Sequence, residues 1–218
     1  MDLAEYQRRY GEDESAAPGW DAIDSRLKST YGKQEPKHWG TVISSMLGGE
    51  DPLHGISAYE CRDGGRDHLH FCTYGYSMLF YDEQAVGSEY SGFGFEMTFR
   101  LASSLPPAEQ PIWVCNLLQN LARYVFDSGN PFGHLHWIPA NGPIYQDSDT
   151  ALVGLAFVSD PTLPTVDSPH GLVKFIQAFG ITQKELDAIQ SKTRTCEEIL
   201  KAHQQTNPLL VTDLCRKD

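Results

Sequence analysis

The stretch "SGFGFEMTFRL", Ser91–Leu101, decides how the rest of the chain is read. Phe93, Phe95, Met97 and Phe99 fall on alternate positions, the period of a strand with one apolar face. Gly92, Gly94, Glu96, Thr98 and Arg100 take the other face. A strand bound for a core carries little glycine and rarely a carboxylate. The glycines mark either a bulge or bend, or a place where another backbone or ring approaches closely. On this reading they leave their face of the strand open. Glu96 reads as an acceptor for backbone N–H groups, from a local loop or from an incoming strand. As a catalytic group it has no acid, base or metal partner evident in the sequence.

Around this strand the chain reads as an α+β mixture. Upstream, Leu3–Tyr10 is a helix candidate closed by Gly11. In "PGWDAIDSRLKSTYG", Trp20, Ile23, Leu27 and Tyr31 share one helical face, and Gly32 supplies the stop. "HWGTVISSM" (His38–Met46), "GISAYEC" (Gly55–Cys61) and "HLHFCTYG" (His68–Gly75) read as strands, the last two joined as a hairpin through "RDGGRD". Downstream, Trp113, Leu117, Leu121, Tyr124 and Val125 form the apolar stripe of a long helix ending before Gly129. "HLHWIP" near His134, "TALVGLAFV" from Thr150 and "NPLLVTDL" read as strands. "HGLVKFIQAFGI" reads as a strand or a short buried helix. Thr182 with Glu185, and Thr195 with Glu198, fit capping boxes that start two helices. Strands and helices alternate without a regular βαβ repeat. This predicts a single α+β domain over 18–218, a mixed, mainly antiparallel sheet flanked by helices, preceded by an extension or helix over 1–17.

The chain has 218 residues, a formal charge of −12 and a pI near 5.0. Its basic residues are scattered, which argues against a nucleic-acid backbone as ligand. An acidic surface suits a basic protein partner, and it also suits plain solubility. The five cysteines, Cys61, Cys72, Cys115, Cys196 and Cys215, contain no CxxC pair and predict neither a disulfide framework nor a cysteine zinc site. Reduced thiols fit a cytoplasmic protein. No apolar run approaches the roughly 20 residues that span a membrane, and the N-terminus does not read as a secretory signal.

Catalytic patterns are weak. His68/His70 and His134/His136 have HxH spacing, which on a strand places two imidazoles on one face and would serve a metal-dependent enzyme. The same histidines can equally hydrogen-bond to neighbours. There is no GxSxG elbow and no phosphate-binding glycine loop. No cofactor is expected, and the features of the glycine-bearing strand suit recognition by strand addition better than bond breaking.

The chain resembles the suppressor of fused (SuFu) family. The resemblance is carried by "PGWDAID" at 18–24, "LGGEDPLHGISAY" at 47–59, "HLHFCTYGYSMLF" at 68–80 and "SGFGFEMTFRL" at 91–101. It continues through "LLQNLARYVFDSGNPF" at 117–132, "PHGLVKFIQAFGIT" at 169–182 and "LLVTDL" at 209–214. It implies an N-terminal-type SuFu domain and a non-enzymatic binding role. Animal members of the family hold Gli-type transcription factors and restrain Hedgehog signalling, with a partner peptide lying as a β-strand between two lobes. This chain matches the first lobe and looks like a compact bacterial member, some of which are thought to act as immunity proteins against a cognate toxin. A basic toxin would be steered by the acidic charge. The resemblance implies partner-binding positions at Met46, Leu47, Gly48, Phe71 and Asp82, with Glu96 within the matched strand. Core packing or loop anchoring is the competing reading for each.

Overall fold

The computed structural model describes residues 1–41, 49–62, 65–103, 112–146 and 148–217. Its organising strand is the one that opens the sequence reading: Tyr90–Ala102, here β4. To one side lie β3 (His68–Tyr74), β2 (Gly55–Cys61) and β1 (Lys37–Gly40), all antiparallel. To the other side β8 (Gly171–Thr182) runs parallel to β4, and β6 (Leu152–Ser159) and β5 (Trp137–Pro139) follow antiparallel. The order is β1-β2-β3-β4-β8-β6-β5, with β7 (Val166–Ser168) paired to β8. The sheet is therefore mixed and mainly antiparallel, as the sequence predicts.

Both faces are covered. The Phe95, Met97 and Phe99 face packs with Leu69, Phe71 and Ile176 against α3 (Ile112–Ser128), which buries Val114, Leu118, Leu121 and Val125. The opposite face receives α2 (Pro18–Tyr31) through Ile23 and Leu27. It also receives α4 (Gln183–Gln190) and α5 (Cys196–Gln204) through Leu186, Ile189, Ile199 and Leu200. Both capping boxes form: Thr182 and Thr195 accept from the N–H of Glu185 and Glu198, whose carboxylates reach back to the cap N–H. α1 (Leu3–Tyr10) lies outside these clusters. No helix among the described residues is long and apolar enough to cross a membrane.

Three expectations differ from the structure, and a fourth falls partly outside the described residues. The face bearing Glu96, Thr98 and Arg100 is not open; all three are at most 1% exposed. The expected strand over His38–Met46 is described only to Thr41, with pairing confined to Lys37–Gly40; 42–48 lie outside the described residues. "HLHWIP" begins its strand only at Trp137, because Leu135 takes φ 68 and turns the chain. "NPLLVTDL" makes a single parallel bridge, Thr212 to Leu101, and Leu210 at φ 49 keeps the residues before it out of strand geometry.

Candidate functional site

Glu96 answers the question its strand poses. Its Oε1 accepts from the N–H groups of Gly75 and Ser77, both at 3.0 Å, and from Ser77 Oγ at 2.6 Å. Its Oε2 accepts from Thr73 Oγ1 at 2.7 Å. Burial pushes the carboxyl up from its ordinary value, against the hydrogen bonds from Ser77, Gly75 and Thr73 that favour the charged form. The carboxylate thus fastens the start of the segment joining β3 to β4.

The two glycines complete the fastening. Gly92 has φ 56, and a Cβ there would lie 2.6 Å from the Tyr76 carbonyl; Phe93 N–H donates to that same carbonyl. Gly94, at φ 81, lies under the Tyr90 ring. Between Tyr90 and Phe95 the register against β8 shifts, so the bulge is real.

The segment 75–89 holds only one short 3-10 turn, Glu83–Ala85, yet it is tied along its length. Met78 N–H donates to Ser91 Oγ at 3.0 Å, and His170 Nδ1 donates to the Met78 carbonyl at 3.0 Å. Gly19 N–H donates to the Leu79 carbonyl, Tyr81 N–H to that of Ala16, and Leu172 N–H to that of Glu89. At Gly19, a Cβ would lie 1.9 Å from the Met78 carbonyl, so only glycine lets α2 approach this closely. The ordered segment nonetheless exposes Phe80, and β4 exposes Tyr90 at its start.

This segment is continuous with the sheet edge. Phe80 meets the His54 ring edge-on at 4.9 Å between centroids. The His54 carbonyl accepts from Thr41 N–H, at the end of β1. Trp39 of β1 stacks on Phe71, 6.1 Å away and 22° from parallel. On the other face of β1, His38 borders a cleft of about 320 Å³ lined by Trp20, Tyr59 and Tyr74. Among the described residues no strand pairs with the outer side of β1.

Each expected partner-binding residue has a definite place. Phe71 is fully buried beneath Trp39, and Glu96 is fully buried behind the segment 75–77. Asp82 is half-buried at the surface, where its carboxylate accepts from Gln84 N–H at 2.9 Å and caps the 3-10 turn. Met46, Leu47 and Gly48 lie outside the described residues. Sequence reasoning missed Trp39, His54 and Phe80. The apolar "MLF" standing immediately before "YDEQ" is the one available signal for Phe80.

The histidine pairs do different work. His68 and His70 share a face of β3, and both point at a buried polar cluster. Asp160 accepts from Thr98 Oγ1 at 2.7 Å, Arg100 Nη2 at 3.2 Å and the N–H groups of Thr162 and Leu163 at 2.8 and 3.0 Å. His70 Nε2 lies 2.9 Å from Asp160, and its Nδ1 accepts from the Tyr31 hydroxyl. Burial pushes His70 down to about 4, with Arg100 acting in the same direction against Asp160. Burial of Asp160 is outweighed by His70, Arg100 and the Thr162 N–H, which hold its carboxyl well below the usual range. The cluster is therefore an Asp160–Arg100 ion pair with a neutral His70.

His68 donates from Nδ1 to the Arg66 carbonyl at 2.8 Å and accepts at Nε2 from Arg100 at 3.0 Å. Metal binding by this pair would break buried hydrogen bonds that the Arg100 and Tyr31 donors need. His134 and His136 sit in a loop, not on a strand, and their Nδ1 atoms accept from Ser159 and Gly133 N–H groups at 3.1 and 3.2 Å. Tyr31, His70 and Asp160 line up as hydroxyl, imidazole and carboxylate. Burial raises the Tyr31 hydroxyl well above its ordinary value, which makes it a poor nucleophile.

A family model described as "Suppressor of fused protein (SUFU)" matches residues 49–217. The Suppressor of fused homologs of Homo sapiens and Mus musculus are each 33% identical over 214 residues, covering 91% of this chain and 43% of theirs. The chain thus spans less than half the length of these curated relatives. Among solved structures, a chain of "the Sufu-Fu complex" matches with a TM-score of 0.84 and 31% identity, over 93% of this chain and 92% of that one. Drosophila Suppressor of Fused matches with a TM-score of 0.83 and 31% identity, over 93% of this chain and 51% of that one. A SUFU homologue of Neisseria gonorrhoeae FA 1090 shares the fold alone, with a TM-score of 0.58 at 14% identity over 92% of this chain and 96% of that one.

Proposed function

The chain belongs to the suppressor of fused family, and on that premise we propose that it is a non-enzymatic module that binds and restrains a partner protein. The observation that carries this reading is the ordered segment 75–89. A long, mostly irregular segment is fastened by Glu96, Ser91 and His170 while Phe80 and, at the start of β4, Tyr90 stay exposed. Binding to a preorganised surface avoids the entropic cost of ordering it.

The partner docks along the outer edge of β1 and across Phe80 to Asp82. An added strand would alternate its side chains like β1, one set beside Trp39 and the other toward the cleft at His38. In this scheme Asp82 touches the partner. Phe71 and Glu96 act from inside, holding Trp39 and the segment 75–77 in place. Met46, Leu47 and Gly48, which follow β1 in the chain, are proposed partner contacts as well.

The charge of −12 favours a basic partner. A nuclease-type toxin held inactive in the cytoplasm fits that description. A transcription factor bound as in animal family members is the second protein partner to test. Affinity capture from the source cell, with the full chain as bait, decides between them. The expected result is a stoichiometric basic protein, lost with Asp82→Arg while the bait stays folded. Capture of nothing above control would reject the reading.

A further inference from the structure

The first helix has one buried attachment, Tyr6, beside an exposed side-chain hydrogen bond between Gln7 and Glu83. In α1, Tyr6 is fully buried and Tyr10 half-buried, and every other residue is exposed. The connector Gly11–Ser15 is exposed throughout, and burial resumes only at Ala16. A helix of eight residues has little stability of its own. An exposed hydrogen bond contributes little, so the position of α1 depends chiefly on what Tyr6 enters.

Tyr6 enters a socket built by the segment 78–82 and by His170. Its ring stacks on Tyr81 at 4.9 Å and 13°, and meets the edge of the His170 ring at 5.5 Å and 67°. Its hydroxyl accepts from Asp82 N–H at 3.0 Å and lies 2.7 Å from His170 Nε2. Because His170 Nδ1 donates to the Met78 carbonyl, Nε2 is the acceptor and the tyrosine hydroxyl the donor. One hydroxyl thus satisfies a backbone donor and an imidazole acceptor at once. Phenylalanine would fill the same volume and leave both unpaired.

We infer that this cleft is a tyrosine-recognition socket, occupied in cis by α1, and that a peptide segment presenting a tyrosine competes with α1 for it. The socket ends at Asp82, so α1 covers part of the surface proposed above for the partner. The latch role on that surface rests on that reading; the socket itself does not.

The test uses the full-length Tyr6→Ala chain and a synthetic peptide of residues 1–14 as the probe, followed by NMR up to millimolar peptide. The expected result is saturable binding that shifts resonances of residues 78–82 and the His170 ring. The wild-type chain, whose socket is filled, should bind at least tenfold more weakly. A peptide carrying Phe at position 6 should bind about tenfold more weakly than the Tyr peptide, and one carrying Ala should not bind. Equal binding by wild type and variant, indifference to residue 6 of the peptide, or no binding to a folded Tyr6→Ala chain would overturn the inference. If Tyr6→Ala does not fold, Tyr6→Phe in the full chain still decides. Hydrogen exchange at the Asp82 amide should accelerate at least tenfold, and an unchanged rate would overturn it. Peptide binding without any partner capture would support the socket while rejecting the proposed function, so the two failures are distinguishable.

Discussion

Replacing Glu96 separates an anchor from a mere buried charge. Glu96→Ala removes the acceptor of four hydrogen bonds and strands the N–H groups of Gly75 and Ser77 with the hydroxyls of Ser77 and Thr73. Each hydrogen bond to a charged group contributes about 1.5–3 kcal/mol, and the losses are not additive. The hydroxyls can rotate toward other acceptors, but the two amides cannot. The net loss should be about 3–5 kcal/mol, a large share of a typical domain stability. Glu96→Gln should cost less, about 1–2 kcal/mol. Its amide oxygen can keep the three Oε1 bonds while its NH₂ faces the Thr73 hydroxyl, which already accepts from Met97 N–H at 2.9 Å. Urea denaturation reads the difference. With an m-value of about 2 kcal/mol/M, Ala lowers the midpoint by roughly 2 M and Gln by less than about 1 M. Hydrogen exchange should rise first in residues 75–91. A Glu96→Ala midpoint within about 0.5 M of wild type, or unchanged exchange in that segment, would refute the anchor.

Three further outcomes follow from the same geometry. His70 has a lowered pKa in the fold, so the unfolded chain takes up its proton first as pH falls; stability should fall by roughly 3 kcal/mol between pH 6.5 and about 4, and His70→Gln should remove that part of the slope in denaturation curves at pH 7 and 4.5. Gly19→Ala should destabilise by at least about 2 kcal/mol in thermal melts despite alanine's better helix propensity, because its Cβ meets the Met78 carbonyl at 1.9 Å. Phe71→Ala should cost about 3–5 kcal/mol in urea denaturation, whereas Phe71→Leu should cost about 1 kcal/mol and shift partner affinity, measured by calorimetry, less than Asp82→Arg does.

Local patterns were legible and long-range ones were not. The alternation of Phe93, Phe95, Met97 and Phe99 placed β4 and its core face, and Thr182 with Glu185 marked a helix start, because each rule operates within a few residues. The bulge at Gly92 and Gly94 was one of two open readings, since glycine alone does not say whether the close neighbour is local or foreign. It is the Tyr76 carbonyl. The partner of Glu96 lies 19–23 residues upstream, and Asp160 meets Arg100 across 60 residues and His70 from another strand. No periodicity encodes such pairings. "HLHWIP" and "NPLLVTDL" have strand-like composition, yet Leu135 and Leu210 adopt left-handed backbone, which β-propensity does not anticipate. Asp82 was legible as a surface residue of an acidic segment, with Phe80 two residues before it; Trp39 and His54 come near only through long-range contacts, Thr41 N–H to the His54 carbonyl and the His54 ring on Phe80.

The central claim is that a partner protein docks on the β1 edge and the segment that Glu96 holds. Hydrogen exchange of the chain, free and bound to the captured partner, tests it most directly. The account predicts new protection at Lys37–Thr41 and at Met78–Glu83, with α4 and α5 unchanged. Protection confined to α4 and α5, or none at Lys37–Thr41 and Met78–Glu83, would contradict it.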